Sequence, residues 1–201
     1  MTSITLSPIP SAPIPGERGP WLQTNSGGRW YYLDPLPEDV VWNDIARALA
    51  MTVRFNGHTL VPYSVAQHCV EVAKIVGPDA QPYALLHDAQ EAYLGDWPTP
   101  LKEALATYGK RPALRHLEDM SSLAIHRAAG LEFPPPPDIA AEVKHADQVL
   151  LVTEARDFHA HTVTFSRPMP RPMNRKIKPL TWTAAADAWL KDARLLLPRM
   201  G

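Results

Sequence analysis

The chain has 201 residues, a length suited to one domain plus an arm. Its 20 basic and 21 acidic residues give a formal charge of −1, which argues against a general nucleic-acid binder or a polybasic membrane protein. The lone Cys69 excludes an internal disulfide framework and a multi-cysteine zinc knuckle, and suits a reducing cytosol.

The N-terminal stretch has no basic start, unbroken apolar run or small-residue cleavage site, so a secretory signal is not expected. No run approaches the ~18 apolar residues of a membrane span, and a cytoplasmic protein is expected. Proline is the compositional oddity: 22 in all, five of them in the first 20 residues. Residues 1–26 therefore read as an extended arm and residues 27–201 as the folded domain. Residues 27–37, GGRWYYLDPLP, set aromatic residues between glycine and proline breaks and suit a short hairpin.

From Pro37 the pattern turns helical. Glu38 and Asp39 suit a helix N-terminus, and Val41, Ile45, Leu49 and Val53 recur at helical spacing until Gly57. Ser64 opens a second helix as N-cap, with Gln67 as capping-box partner and Val65, Cys69, Val72, Ala73 and Val76 as apolar face. A third helix is expected from Pro82 to Leu94, stopped by Gly95, and a fourth from Thr99. Residues 112–130 form a longer helix with Leu114, Leu117, Leu123, Ala124 and Ala128 on one face. The FPPPPD run at 133–138 is a stiff connector, and its Asp138 caps the helix that follows. Residues 162–180 read as a basic, proline-rich loop, and a last helix spans 183–197. The expected fold is all-α, with at most a small N-terminal hairpin.

Polar residues interrupt three of the apolar stripes. His68 lies three after Val65 and four before Val72, and Asp147 lies midway between Val143 and Leu151. The pair His87–Asp88 follows Ala84–Leu85–Leu86. A buried carboxylate costs several kcal/mol unless paired or metal-bound, so two imidazoles and two carboxylates aimed at one core ask for a compensating charge. A divalent cation supplies it, and this donor set suits zinc, manganese, cobalt, nickel or iron better than calcium. Taken singly, each is as well explained as a hydrogen-bonded core histidine, an ion pair or a cap.

The stretches YSVAQHCVEVA, LLHDAQEAYLGDWPTPLK and KHADQVLLVTEARD resemble the HD-domain superfamily of metal-dependent phosphohydrolases over roughly residues 27–197. The likeness is to bacterial 5′-deoxynucleotidases and to phage-type deoxyadenosine triphosphate triphosphohydrolases. It implies an HD-type helical bundle with His68, His87, Asp88 and Asp147 as ligands of a divalent metal (Mn, Co, Zn, Ni, Fe or Mg). It also implies Glu91 and Asp96 as the residues that support hydrolysis, and Arg54 followed by the aromatic Phe55 as contacts to phosphate and to sugar or base. Lys102 is a second phosphate candidate; it reads equally well as a solvated helix lysine. Without the resemblance, Glu91 is a helix-surface glutamate, Asp96 a turn aspartate and Arg54 a C-terminal-turn arginine. His116, His126, His145, His159 and His161 read mostly as surface histidines. The RPMNRKIKP segment at 171–179 is either a solvated loop or a triphosphate clamp. The resemblance thus implies a cytoplasmic homo-oligomer that takes deoxynucleotides, as monophosphates or triphosphates, and binds neither nucleic-acid polymer nor membrane. The rivals are a nucleotide-sensing or scaffolding protein without turnover and a metal oxygenase on a related helical scaffold.

Overall fold

A computed structural model of the chain describes residues 18–200. The expected arm lies outside them as far as residue 17, but its last part is folded. Strand β1 (Trp21–Gln23) pairs antiparallel with β2 (Arg29–Tyr31), setting Leu22 opposite Trp30. The hairpin therefore begins earlier than expected. Gly27, at φ +92°, makes its turn instead of opening its first strand.

The main elements that follow are helices: α1 (Trp42–Met51), α2 (Val65–Ala73), α3 (Gln81–Leu86), α4 (Glu91–Leu94), α5 (Thr99–Thr107), α6 (Arg111–Ala129), α7 (Pro137–Phe158) and α8 (Trp182–Leu196). The fold is all-α with a small N-terminal hairpin, as the periodicity predicts. Among the described residues no helix is long and apolar enough to cross a membrane.

Helix α2 is the central element and packs against α1, α3, α7 and α8. All of its residues are buried, so it has no solvent face on which to place polar groups. Its sequence nevertheless carries Gln67, His68 and Glu71, and each has a specific partner. Ser64 caps the helix as expected by accepting from the Gln67 backbone N–H at 3.2 Å. The Gln67 side chain does not return to complete a capping box. It donates to the Lys178 carbonyl and accepts from the Leu180 N–H, both at 2.8 Å. Glu71 pairs with Lys74 and Arg175.

These contacts fix the 171–180 segment. Ile177 is buried, its N–H donates to Asp157 at 2.8 Å, and the Met173 N–H donates to Thr153 at 2.9 Å. Arg156 donates to the Arg175 carbonyl at 2.9 Å. The segment is a strap tied to α2 and α7, not the solvated loop its composition suggests.

The expected helix from Pro82 to Leu94 is broken. Between α3 and α4 the backbone bonds run i to i−3, from Ala89 to Leu86 at 3.0 Å and from Glu91 to Asp88 at 3.0 Å. This tighter winding presents His87, Asp88 and Glu91 within little more than one turn. The hairpin holds α4 in place: Trp30 stacks on Tyr93 with centroids 3.8 Å apart and planes 1° from parallel. The Tyr32 hydroxyl donates to the Tyr93 carbonyl at 3.1 Å. Asp44 of α1 anchors the hairpin in turn, accepting from the Ser26 hydroxyl at 2.6 Å.

Two further expectations shift. Helix α7 begins one residue before Asp138, with Pro136 as its cap residue, so Asp138 sits in the first turn and complements the helix dipole. The buried residues of α6 are Ser121, Ser122, Ala124, Ile125, His126 and Ala129; of the expected face Ala124 is among them, while Leu114, Leu117, Leu123 and Ala128 are half-buried. Trp189 is fully buried beside Trp42.

Candidate metal centre

Three separate elements bring the inward polar residues together. His68 comes from the middle of α2, His87 and Asp88 from the tight turn between α3 and α4, and Asp147 from α7. Around His68 Nε2 stand Asp147 Oδ1 at 3.1 Å, His87 Nε2 at 3.2 Å and Asp88 Oδ2 at 3.7 Å. Asp88 Oδ2 is also 3.1 Å from His87 Nε2. Two donors bound to one ion at about 2.1 Å lie about 3.0 Å apart at right angles and about 3.4 Å apart at the tetrahedral angle. The two imidazoles and Asp147 form a group able to hold a metal ion, and Asp88 adjoins it.

The hydrogen bonds on the far side of each ring fix its tautomer. His68 Nδ1 lies 2.6 Å from Glu154 Oε1 and His87 Nδ1 lies 2.7 Å from the Ala84 carbonyl oxygen. An ionised carboxylate and a carbonyl only accept, so both Nδ1 atoms donate. Each neutral ring then points its Nε2 lone pair at the other, with two carboxylate oxygens close by. Four electron-rich atoms at these distances repel unless a proton or a cation lies among them. Burial and the Arg54 charge oppose protonation of His68, yet Glu154 and Asp147 outweigh them and raise its pKa. Burial likewise opposes a charged His87, and Asp88 raises it well above the usual range. Against the desolvation of burial, the cationic partners hold Asp88 and Asp147 low.

Glu154 lies two turns beyond Asp147 on the same face of α7 and is fully buried. Its second oxygen accepts from Arg54 Nε at 3.0 Å, and Arg54 Nη1 is 3.6 Å from Asp88. Arg54 is thus a buried arginine inside the cluster and not the exposed C-terminal-turn residue that its position after α1 also allowed. Its backbone is fixed by a short bridge to the start of α2, with its N–H donating to the Tyr63 carbonyl at 2.8 Å. The chain then turns through two left-handed residues, Phe55 at φ 56° and Asn56 at φ 51°. For a bulky residue this costs on the order of 1–3 kcal/mol, a strain of the kind that gathers at functional sites. The Phe55 ring stands edge-on to His159 at 4.7 Å.

No known protein-family profile matches the chain. It is 39% identical over 137 residues to the uncharacterized protein YfdR of Escherichia coli (strain K12), covering 68% of this chain and 71% of that protein. It is also 38% identical over 144 residues to an uncharacterized protein of Rhodobacter capsulatus, covering 67% and 71% of the two chains. The chain belongs to the YfdR family.

In this YfdR-family protein the other sequence-selected residues fall into two groups. Glu91 and Asp96 are close enough to Asp88 and Arg54 to feel their charges. Burial, reinforced by Asp88 and Asp96, raises Glu91 well above the carboxylate range, and its Oε2 is buried without a partner among the described residues. Asp96 is also raised, by burial first, with Arg54 opposing and Asp88 adding. It follows Gly95, whose φ of +79° ends α4, and the Trp97 indole N–H donates to the Leu94 carbonyl at 2.8 Å to close the turn. Lys102, by contrast, is held by Glu118 at 2.9 Å, and Arg175 in the basic segment is held by Glu71.

Sequence reasoning missed two residues. Glu154 is seven after Asp147 and so shares its helical face, a signal present in the text. His126 was grouped with the surface histidines, but it is buried. Its signal was the set Ser122, Ile125, His126 and Ala129, the apolar spacing of a helix facing inward. His116, His145 and His161 are exposed, as expected.

Proposed function

We propose that this protein is a metal-dependent phosphohydrolase of 2′-deoxynucleotides, with a divalent cation held by His68, His87, Asp88 and Asp147. The observation that carries the reading is the approach of the two Nε2 atoms, 3.2 Å apart and ringed by two carboxylates, an arrangement that makes chemical sense around a cation. The mixed nitrogen and oxygen donors favour manganese, cobalt, iron, nickel or zinc. The resemblance of the three motif stretches to HD-domain phosphohydrolases supplies the substrate class.

A bound cation would act as Lewis acid on a phosphoryl oxygen and lower the pKa of a water molecule beside it. The residues of the chain do the rest. Glu154 holds His68 in the tautomer that keeps Nε2 free. Arg54, anchored through Nε to Glu154 and with Nη1 beside Asp88, brings its guanidinium charge next to the site where phosphate oxygens would lie. Water would attack the α-phosphorus and give up a proton to Asp96 or Glu91, the bond from phosphorus to the leaving oxygen would break, and that oxygen would take up a proton. Glu91 and Asp96, both raised into a range where a carboxyl carries a proton more readily, would donate it or orient the water. Phe55, beside Arg54, would meet the sugar or base.

A specific observation favours monophosphates over triphosphates. Lys102 and Arg175, two of the basic groups that a triphosphate would recruit, are each paired with a glutamate. The test is product identification: the pure protein is incubated with each deoxynucleoside mono- and triphosphate plus manganese or cobalt. Inorganic phosphate from monophosphates is expected. Intact tripolyphosphate would overturn the monophosphate preference, and no phosphorus product from any substrate would overturn the hydrolase reading.

A further inference from the structure

A cavity of about 290 Å³ opens between α3, α6, α7 and the proline connector. That is near the lower end of small-molecule sites, about 300 Å³, and matches one small organic group. His87 and Asp147 line one end of it, so it runs directly from the candidate metal centre. The remaining walls are mostly apolar and include Tyr83, Phe133, Pro135 and Val143. The connector behind Phe133 is a run of prolines, whose fixed backbone keeps that wall preformed.

His126 is the exception to the apolar lining. Its ring lies between those of Tyr83 and Phe133, with centroids 5.9 and 5.0 Å away. It is 3% exposed, and its Nδ1 donates to the Ser122 carbonyl at 2.8 Å. Its Nε2 is therefore an acceptor, and no group among the described residues donates to it. His126 lines the cavity, so this acceptor is open to a ligand N–H entering it. The cavity thus calls for a flat group with apolar faces and an N–H on its edge, attached to something that reaches the metal. An anion does not suit the apolar walls, and a hydrocarbon leaves His126 unsatisfied.

We propose that this cavity is a nucleobase pocket: the base lies against Tyr83, Phe133 and Pro135 and donates a hydrogen bond to His126 Nε2 while its phosphate reaches the metal centre. The choice of a nucleotide rests on the phosphohydrolase reading above. Each of the common bases carries an edge N–H, so the contact orients the base without selecting one. Lys144, at the rim on α7, is one helical turn from Asp147 and sits where the ligand would leave the pocket.

The test uses 2′-deoxyadenosine and thymidine, which carry no phosphate, titrated into the full-length protein with a metal chelator present and followed by calorimetry or NMR. Wild type should bind both. His126→Phe keeps a ring and removes the acceptor, and should weaken binding at least tenfold. Phe133→Ala, a change at a half-buried wall that spares the core, should weaken it severalfold; it keeps the question answerable if the first variant does not fold. Equal binding by wild type and folded variants would overturn the pocket. So would indole binding as tightly as a nucleoside, no nucleoside binding at all, or loss of binding in Phe55→Ala but not in His126→Phe. Nucleotide hydrolysis by wild type separates the two readings. Hydrolysis with a KM indifferent to His126→Phe would overturn the pocket alone, whereas base-dependent nucleoside binding without any hydrolysis would overturn the hydrolase alone.

Discussion

Replacing Glu154 by glutamine keeps its shape and volume but changes what it can accept. The carboxylate now takes two donors, one per oxygen: His68 Nδ1 at 2.6 Å and Arg54 Nε at 3.0 Å. A glutamine has one oxygen, and its NH₂ would face a second donor. If the oxygen stays with Arg54, His68 must turn its Nδ1 into an acceptor and move its proton to Nε2, where it blocks the cation. If the oxygen stays with His68, the buried Arg54 charge loses its closest partner. Disturbing the group behind a metal-bound histidine costs about 10- to 100-fold in metal affinity. Breaking a buried ion pair from one side costs about 3–5 kcal/mol of stability. The stability loss falls within the ~5–15 kcal/mol of a typical domain, so a folded population remains for study. Glu154→Gln should therefore show weaker manganese or cobalt binding by calorimetry, a lower urea midpoint, and a His68 tautomer change in ¹⁵N NMR. Unchanged metal affinity with the His68 tautomer retained would refute the role assigned to Glu154.

Other predictions follow from the same geometry. His87→Ala should lose both bound metal and turnover, and full retention of either, by elemental analysis and phosphate release, would remove His87 from the centre. Asp96→Asn should keep metal affinity while lowering kcat by about 10²-fold or more, the scale of general acid–base help; an unaltered kcat would exclude it. Trp30→Ala should cost about 3–5 kcal/mol in chemical denaturation through loss of the stack on Tyr93, and a loss below 1 kcal/mol would show that the hairpin does not hold α4. The Asp157 carboxyl is held low by Arg156 and the Ile177 N–H, against the opposing effect of burial. Its contribution to stability is present above the unfolded pKa near ~3.9 and is lost as pH falls through the lower folded value. Asp157→Asn should accordingly flatten the acid side of the stability curve and speed protease cleavage in the 171–180 strap. An acid limb identical to wild type would contradict this.

The parts of the fold that depend on local sequence were legible. Ser64 before a run of valines at helical spacing marks the start of α2, and the expected helix over 112–130 differs from α6 by one residue at each end. The break between α3 and α4 was not, because Ala, Leu, Gln and Glu all favour a continuous helix. What imposes the tighter turn there is the packing of His87 and Glu91 into the centre on one side and of Tyr93 under Trp30 on the other. The strap at 171–180 was unreadable for a similar reason. Its composition is that of a solvated loop, and its order comes from Gln67, Glu71, Thr153 and Asp157, residues far away in sequence. At the site, His68, His87, Asp88 and Asp147 stood out because polar side chains broke apolar stripes. Glu154 and His126 did not, since one sits among exposed-looking polar neighbours and the other lies beside a leucine line that is itself only half-buried. Arg54 was ambiguous for the opposite reason: an arginine just after a helix is usually exposed, and only the strained Phe55–Asn56 turn and the bridge to α2 drive it inward.

The most direct measurement is metal stoichiometry on the purified full-length chain. After dialysis against manganese or cobalt, elemental analysis should find one divalent ion per chain, and the ion should be absent from both His68→Ala and Asp147→Ala proteins that retain wild-type circular dichroism. A wild-type protein that takes up no ion at millimolar cation, or variants that hold as much as wild type, would contradict the account.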